Sequence, residues 1–278
     1  MTKIAVRATD LVVAYGNVIA LDQSSFEIPT GLITAVIGPN GSGKSTLLSA
    51  IARLVEPAQG TIELLPGQSR DPTISFVLQT TKVNDALPIS VGEVVAMGRY
   101  ADKGPFERLD SEDEKAIGDA MDRTGVSDLA RHQLNHLSGG QRQRAFIAQG
   151  LAQDHDLLLL DEPLTGIDIA AAQAIDRVIH DEITQGCSVI LTTHDLTEAR
   201  IADHVLLLSR RVVASGPPDE VLTTENLTAA YGPSLLHVQD GRVFLDDAAH
   251  QPTASRHIHR DRTIHTESSP GDLHSDGH

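Results

Sequence analysis

One octet constrains this chain more than any other stretch: Gly38-Pro39-Asn40-Gly41-Ser42-Gly43-Lys44-Ser45, followed by Thr46. It fits G-x-x-x-x-G-K-[ST], and its surroundings fit too. The apolar run Leu32-Ile33-Thr34-Ala35-Val36-Ile37 reads as a buried strand entering the octet. Leu47, Leu48, Ile51, Leu54 and Val55 are spaced as one face of a helix leaving it. Strand, glycine loop and helix are the setting in which this motif holds phosphates. Glycines let successive backbone N–H groups point inward, the helix start adds positive potential, and Lys44 adds a full charge. The Ser45 hydroxyl is placed to reach a Mg²⁺ ion. The spacing predicts a nucleoside triphosphate site.

The 278 residues suffice for one large domain, or for a domain with a small lobe and a tail. Tryptophan is absent and aromatics are 3%, so a core built from 40% hydrophobic residues must be aliphatic. The formal net charge of −16 argues against nucleic acid as a partner, which wants a basic face. The single cysteine, Cys187, excludes an intrachain disulfide. Its place before Val189-Ile190-Leu191 reads as a small buried hydrophobe rather than a reactive thiol. The N-terminus lacks an apolar signal region and no run of 18 apolar residues exists. The expectation is a soluble, cytoplasmic chain whose membrane contact runs through a partner.

Residues 3–30 alternate as strands do, with turns at Tyr15-Gly16-Asn17 and Pro29-Thr30-Gly31. Residues 60–65 and 73–78 read as short strands. From residue 80 to 136 the chain becomes polar, charged and helical, with an acidic helix start at Asp110-Ser111-Glu112-Asp113-Glu114. This predicts a helical lobe inserted at about residues 80–150. Leu157-Leu158-Leu159-Leu160 and Val189-Ile190-Leu191-Thr192-Thr193 are continuous runs, as expected of buried parallel strands, with a helix over residues 170–185 between them. The predicted fold is α/β: a mostly parallel sheet core, an N-terminal antiparallel β part and the helical lobe, in one domain over residues 1–245. From residue 246 to 278 Ser, Thr, Pro, Asp and His replace aliphatic periodicity, which predicts a disordered tail.

Two further motifs carry chemistry. The strand Leu157-Leu158-Leu159-Leu160 ends in Asp161-Glu162, placing one carboxylate to hold Mg²⁺ and the next to take a proton from water. With the phosphate loop upstream, this reading outweighs that of a solvated acidic turn. Leu137-Ser138-Gly139-Gly140-Gln141 precedes a helical segment over residues 142–151, and a glycine-rich helix start is an anion site by the same physics as the first loop.

With these motifs in this order, the chain resembles ATP-binding cassette (ABC) ATPase subunits over roughly residues 4–245. The resemblance implies a P-loop NTPase of the ABC cassette type that uses ATP and Mg²⁺. Residue by residue, Tyr15 resembles the aromatic that stacks on adenine, a plain turn tyrosine being the alternative. Gly38, Pro39, Asn40, Gly41, Ser42, Gly43, Lys44, Ser45 and Thr46 resemble the Walker A loop, with Lys44 on the β- and γ-phosphates and Ser45 on Mg²⁺. Gln79 resembles the Q-loop glutamine, touching Mg²⁺ or the attacking water. Ser138, Gly139, Gly140 and Gln141 resemble the signature loop. Asp161 and Glu162 resemble the Walker B aspartate and the catalytic base. Leu164-Thr165-Gly166-Ile167-Asp168 resembles the D-loop, and His194 the switch histidine near the γ-phosphate. The family implies a head-to-tail homodimer, each ATP lying between the Walker A loop of one subunit and the Ser138 loop of the other. It also implies a multi-span membrane permease and, indirectly, an extracytoplasmic metal-binding protein, with the chain on the cytoplasmic face of the membrane.

Two departures from the family pattern stand out. In Ala152-Gln153-Asp154-His155, His155 stands where the family often has proline. Ala148-Gln149-Gly150-Leu151 replaces the usual Ala-Arg-Ala-Leu, and Gly150 costs a helix about 1 kcal/mol against alanine.

The cargo reads less directly. Pro88-Ile89-Ser90-Val91 running into Met97-Gly98-Arg99-Tyr100 resembles the zinc/manganese uptake branch, as does the stretch from Glu220 to Leu227 with Tyr231-Gly232. The resemblance implies an importer of a divalent metal ion, zinc ahead of manganese. Ferric-siderophore and cobalamin importers share the Gly-Arg-Tyr part and form the alternative. A non-transport ABC ATPase acting on DNA or ribosomes would carry a coiled-coil insertion or a second cassette, which the chain lacks. In the tail, His250, His257, His259, His265, His274 and His278 lie among aspartates and a glutamate, a composition suited to weak Zn²⁺ binding. Incidental histidines in a solvated tail are the other reading.

Overall fold

The computed structural model describes residues 3–65, 72–79, 88–100, 103 and 107–232, and the backbone of 236–239 and 242–245. The tail histidines, His250, His257, His259, His265, His274 and His278, lie outside the described residues.

The first part contains β1 (Ile4–Tyr15), β2 (Val18–Pro29), β3 (Ile33–Ile37), α1 (Lys44–Ile51), β4 (Gln59–Leu64) and β5 (Ile74–Val77). The lobe carries α2 (Val91–Ala96), α3 (Ser111–Thr124) and α4 (Gly139–Ala152). The core resumes with β6 (Leu157–Leu160), α5 (Ile169–Thr184), β7 (Ser188–Thr193), α6 (Leu196–Ile201), β8 (His204–Leu208) and β9 (Val212–Gly216). Two short helices, α7 (Pro218–Val221) and α8 (Thr224–Tyr231), and a hairpin of β10 (Leu236–Gln239) and β11 (Arg242–Leu245) follow.

Two sheets make the core. One is antiparallel, in the order β2-β1-β4. The other runs β5-β6-β7-β3-β8-β9 and is parallel except for its edge strand β9. Its central strands are mostly aliphatic because both faces are covered, and alternate residues serve opposite faces. Val36, Leu159, Ile190 and Leu206 pack with Val6, Leu11, Leu21 and Ile28 of the antiparallel sheet and with Leu47, Leu48 and Ile51 of α1. Ala35, Ile37, Leu158, Leu160 and Leu191 pack on the other face against Ile175, Val178 and Ile179 of α5. Each fully buried leucine or isoleucine here contributes about 1.5–3 kcal/mol.

The lobe has its own core, in which Val91, Val94 and Val95 of α2 and Ile117 of α3 meet Ala145 and Ala148 of α4. Helix α4 is the seam between lobe and sheet. Gly150 sits where a Cβ would come within 2.6 Å of Val77 Cγ2 and 2.9 Å of Ser75 Oγ. The Ser75 hydroxyl donates to the Gly150 carbonyl at 2.8 Å. The helix-weakening glycine is therefore what lets α4 approach β5.

The helix after the phosphate loop is shorter than the apolar spacing suggested. It ends at Ile51, and Arg53 adopts a left-handed φ of 60°. That turn sends Leu54 out to solvent, 66% exposed, while Val55 packs back on the core. Burial first and the neighbouring Glu182 second push the pKa of the Cys187 thiol up to about 12, so the free thiol stays protonated.

Helix α3 starts from a reciprocal cap between Asp110 and Asp113. Asp113 is buried and accepts from Lys103 Nζ at 2.6 Å, from the Asp110 N–H at 2.9 Å and from Arg99 Nε at 2.8 Å. The Lys103 bond above all, then the Asp110 N–H and Arg99, hold its carboxyl well below the ordinary range against the effect of burial. A depressed folded-state pKa adds stability above the unfolded value, about 3.9, and that stability is lost as pH falls through the folded value. Asp113→Asn should lower the melting temperature at neutral pH, and the deficit should shrink once pH drops below about 4. Thermal unfolding followed across that range checks this; a deficit independent of pH would contradict it.

Candidate active site

Strand register assembles the site. Ile37 of β3 pairs with Thr193 of β7, Leu191 of β7 with Leu160 of β6, and Leu160 with Val77 of β5. The residues just beyond these carboxyl ends therefore emerge on one edge of the sheet: Gly38, His194, Asp161 with Glu162, and Gln79. That edge is where ligands bind in open parallel sheets.

At the end of β3 the loop turns tightly into α1. Gly43 is the N-cap residue with a φ of 99°, which glycine adopts without strain. A Cβ on Gly38 would fall 2.2 Å from the Leu208 carbonyl oxygen. Lys44 is buried, and its Nζ donates to the carbonyls of Gly38 at 2.9 Å and Pro39 at 3.4 Å. Burial pulls its pKa below the usual lysine value, while the charges of Glu162 and then Asp161 oppose that pull. The Ser42 hydroxyl is buried without a hydrogen-bond partner. A buried cation, an unsatisfied hydroxyl and a glycine-shaped cradle at a helix start fit a polyphosphate.

Across β7 from this loop lie the two acids. Asp161 is buried, and its Oδ1 accepts from Thr192 Oγ1 at 2.6 Å. The same Thr192 oxygen accepts from the Glu162 N–H at 2.8 Å. Glu162 has a φ of 47°, a left-handed conformation costly for a side chain with a Cβ and typical of functional turns. Its Oε2 accepts from Gln79 Nε2 at 2.9 Å and from Thr165 Oγ1 at 3.2 Å, and lies 4.0 Å from His194 Nδ1. Gln79 and His194 thus converge on Glu162, next to Asp161. Ser45 and Thr46 open α1 beside Lys44, and Ser45 is exposed.

The sequence placed Thr192 in a buried strand and Thr165 in the D-loop stretch, but assigned neither a role at this edge. Thr192 did carry a signal: a hydroxyl in a fully buried strand must find a partner.

The remaining candidates divide. Tyr15 ends β1 as a residue 51% exposed, and the neighbouring strand β2 approaches the loop, since a Cβ on Gly43 would lie 2.9 Å from the Ala20 carbonyl oxygen. Ser138, Gly139, Gly140 and Gln141 begin α4. There the Ser138 hydroxyl accepts from the Gln141 N–H at 3.3 Å, and Gln141 Oε1 accepts from the Ser138 N–H at 2.9 Å. Gly140 rests against Ile167 and Ala171, and Asp168 caps α5 by accepting from the Ala171 N–H at 2.8 Å. Two adjacent helix starts thus form a second cluster, with Ser138 and Asp168 at their caps.

A phosphate loop, two strand-end acids and a glutamine and histidine converging on the second acid define a nucleoside triphosphatase of the P-loop class. Residues 21–165 match the family model of the ABC transporter. The chain belongs to that family, as one of its ATP-hydrolysing cassettes. It is 39% identical over 235 residues to the chelated iron transport system membrane protein YfeB of Yersinia pestis, covering 82% of this chain and 79% of that one. It is 32% identical over 238 residues to the manganese transport system ATP-binding protein MntA of Synechocystis sp., covering 84% and 92%. Among solved structures, an inward-facing transporter described as of the metal-chelate type superposes with a TM-score of 0.73 at 31% identity, covering 87% of this chain and 96% of that chain.

The double role of Thr192 generates a prediction. Thr192→Val keeps shape but removes the bonds to Asp161 and to the Glu162 amide. It should lower ATP turnover by about 10- to 100-fold, the usual effect of losing a group that orients a reacting one. Steady-state ATPase rates check this, and an unchanged rate would remove Thr192 from the site.

Proposed function

We propose that this chain powers an importer of a divalent transition-metal ion, manganese first, with zinc and iron as the alternatives. The observation that carries the hydrolytic half is the contact of Gln79 with Glu162 beside the buried Lys44 and Asp161. Lys44 and the loop amides bind the β- and γ-phosphates, and the exposed Tyr15 ring stacks on adenine. Asp161, Ser45 and Gln79 are the residues that would hold the Mg²⁺ accompanying ATP, where it neutralises charge on the phosphate oxygens. Glu162 takes the proton of the attacking water, held toward it by Gln79 and Thr165, and His194 steadies the γ-phosphate.

Ser138, Gly139, Gly140, Gln141 and Asp168 act in trans on this reading. Their local bonds form a cluster of their own, and a second copy placed head to tail would bring it onto the phosphates bound by Lys44. ATP then holds a homodimer together and hydrolysis releases it. Among the described residues no helix is long and apolar enough to cross a membrane, so attachment runs through a multi-span permease on the cytoplasmic face. Exposed Leu78, Met97 and Tyr100, beside the end of β5 and in the lobe, suit that contact. An extracytoplasmic metal-binding protein would feed the permease. The ATPase unit is residues 1–245.

The metal assignment leans on the relatives, whose names specify chelated iron and manganese. The Gly98-Arg99 part of the shared motif serves the lobe instead. A Cβ on Gly98 would fall 2.2 Å from the Gln149 carbonyl, and Arg99 bonds Asp113 and the Ala152 carbonyl. That motif therefore reports lobe packing and does not separate metal-ion from siderophore importers.

The test is whole-cell manganese, zinc and iron in a strain carrying Lys44→Ala and grown under metal limitation. A selective fall in manganese is expected. A fall in zinc or iron alone reassigns the cargo, and three unchanged contents would reject metal import.

A further inference from the structure

Away from the nucleotide edge, three side chains from three elements converge where the family often has proline. His155 follows α4, Glu182 lies in the last turn of α5, and Cys187 precedes β7. One ligand-type atom from each lies within 4.8 Å of the others. The His155 and Glu182 side chains are only 6% and 3% exposed, while Cys187 is half-buried and offers a way in.

The hydrogen bonds around His155 fix its tautomer and orient it toward Glu182. Its Nδ1 lies 2.7 Å from the Gln153 carbonyl oxygen, which can only accept, so Nδ1 carries a proton. Its Nε2 lies 2.9 Å from Glu182 Oε2. When the ring is protonated, Nε2 donates to that oxygen and both groups are satisfied; when it is neutral, two acceptors face each other, and a cation bridging them would take the place of that proton. Arg123 bonds the other carboxylate oxygen, Oε1, at 2.6 Å and leaves Oε2 to the cation. The Cys187 sulfur completes the set, 3.3 Å from the His155 carbonyl oxygen.

An imidazole fixed through its outer nitrogen by a backbone carbonyl, with a carboxylate fixed through its outer oxygen, is how proteins orient metal ligands. We propose that His155, Glu182 and Cys187 form a binding site for a thiophilic divalent cation of the zinc class. Imidazole and thiolate select zinc or cobalt over manganese, whose ligands are oxygen-rich. Binding releases the Cys187 thiol proton, and any proton on His155 Nε2, to solvent. The ion ties the carboxyl end of α4 to that of α5, the two helices whose starts carry Ser138 and Asp168. The site is independent of what the transporter carries.

The test is a cobalt(II) titration of the purified full-length chain, followed by zinc. Cys187 is the only cysteine, so a sulfur-to-cobalt charge-transfer band reports this site alone, whatever the tail histidines bind. The band should appear, be displaced by zinc and resist manganese. It should vanish in Cys187→Ser, and cobalt affinity should fall at least about tenfold in His155→Gln. Absence of the band in the folded parent would overturn the site. A band of equal affinity in His155→Gln would overturn it too, reducing it to a lone thiol, and displacement by manganese as easily as by zinc would overturn the ligand class.

Discussion

The parallel pairing of β5, β6, β7 and β3 is the constraint on which the rest depends. Each strand contributes little more than one or two residues beyond its carboxyl end, and only the register sets those residues side by side. A slip of one residue in any pair would exchange the faces of an entire strand, moving Leu158 and Leu160 off α5 and Asp161 off the edge. Burial on both faces makes such a slip costly. Thr192 fastens the arrangement from within by reaching from β7 to both acids of β6.

The candidate residues divide between two packing clusters. The phosphate loop and the acids belong to the sheet, while Ser138 begins a helix whose other end is wedged on β5 at Gly150 and whose flank lines the lobe core. Gln79, which leaves β5 and bonds Glu162, lies beside that seam. Lys44 shows the electrostatic side of the design: burial weakens its charge, and the acids opposite support it.

Much of this was legible in the sequence, because the octet, the strand-end acids and His194 depend on spacing along the chain. The α/β class and the inserted lobe followed from composition and periodicity. What stayed hidden depends on contacts across the chain. Thr192 and Thr165 matter only through the neighbouring strand and turn. Gly150 and His155 were visible as departures from the family pattern, yet their reasons lie in β5 and in Glu182. Leu54 continued the apolar spacing on paper, but the left-handed Arg53 ended the helical path before it.

The central claim is that Glu162 activates water at a phosphate site formed by Lys44 and its loop. The most direct measurement is ATP affinity and ATP turnover of Glu162→Gln compared with the parent. The account predicts affinity within a few-fold of the parent and turnover lower by about 10²- to 10⁴-fold, the share a general base supplies. Turnover near the parent level, with binding intact, would contradict it.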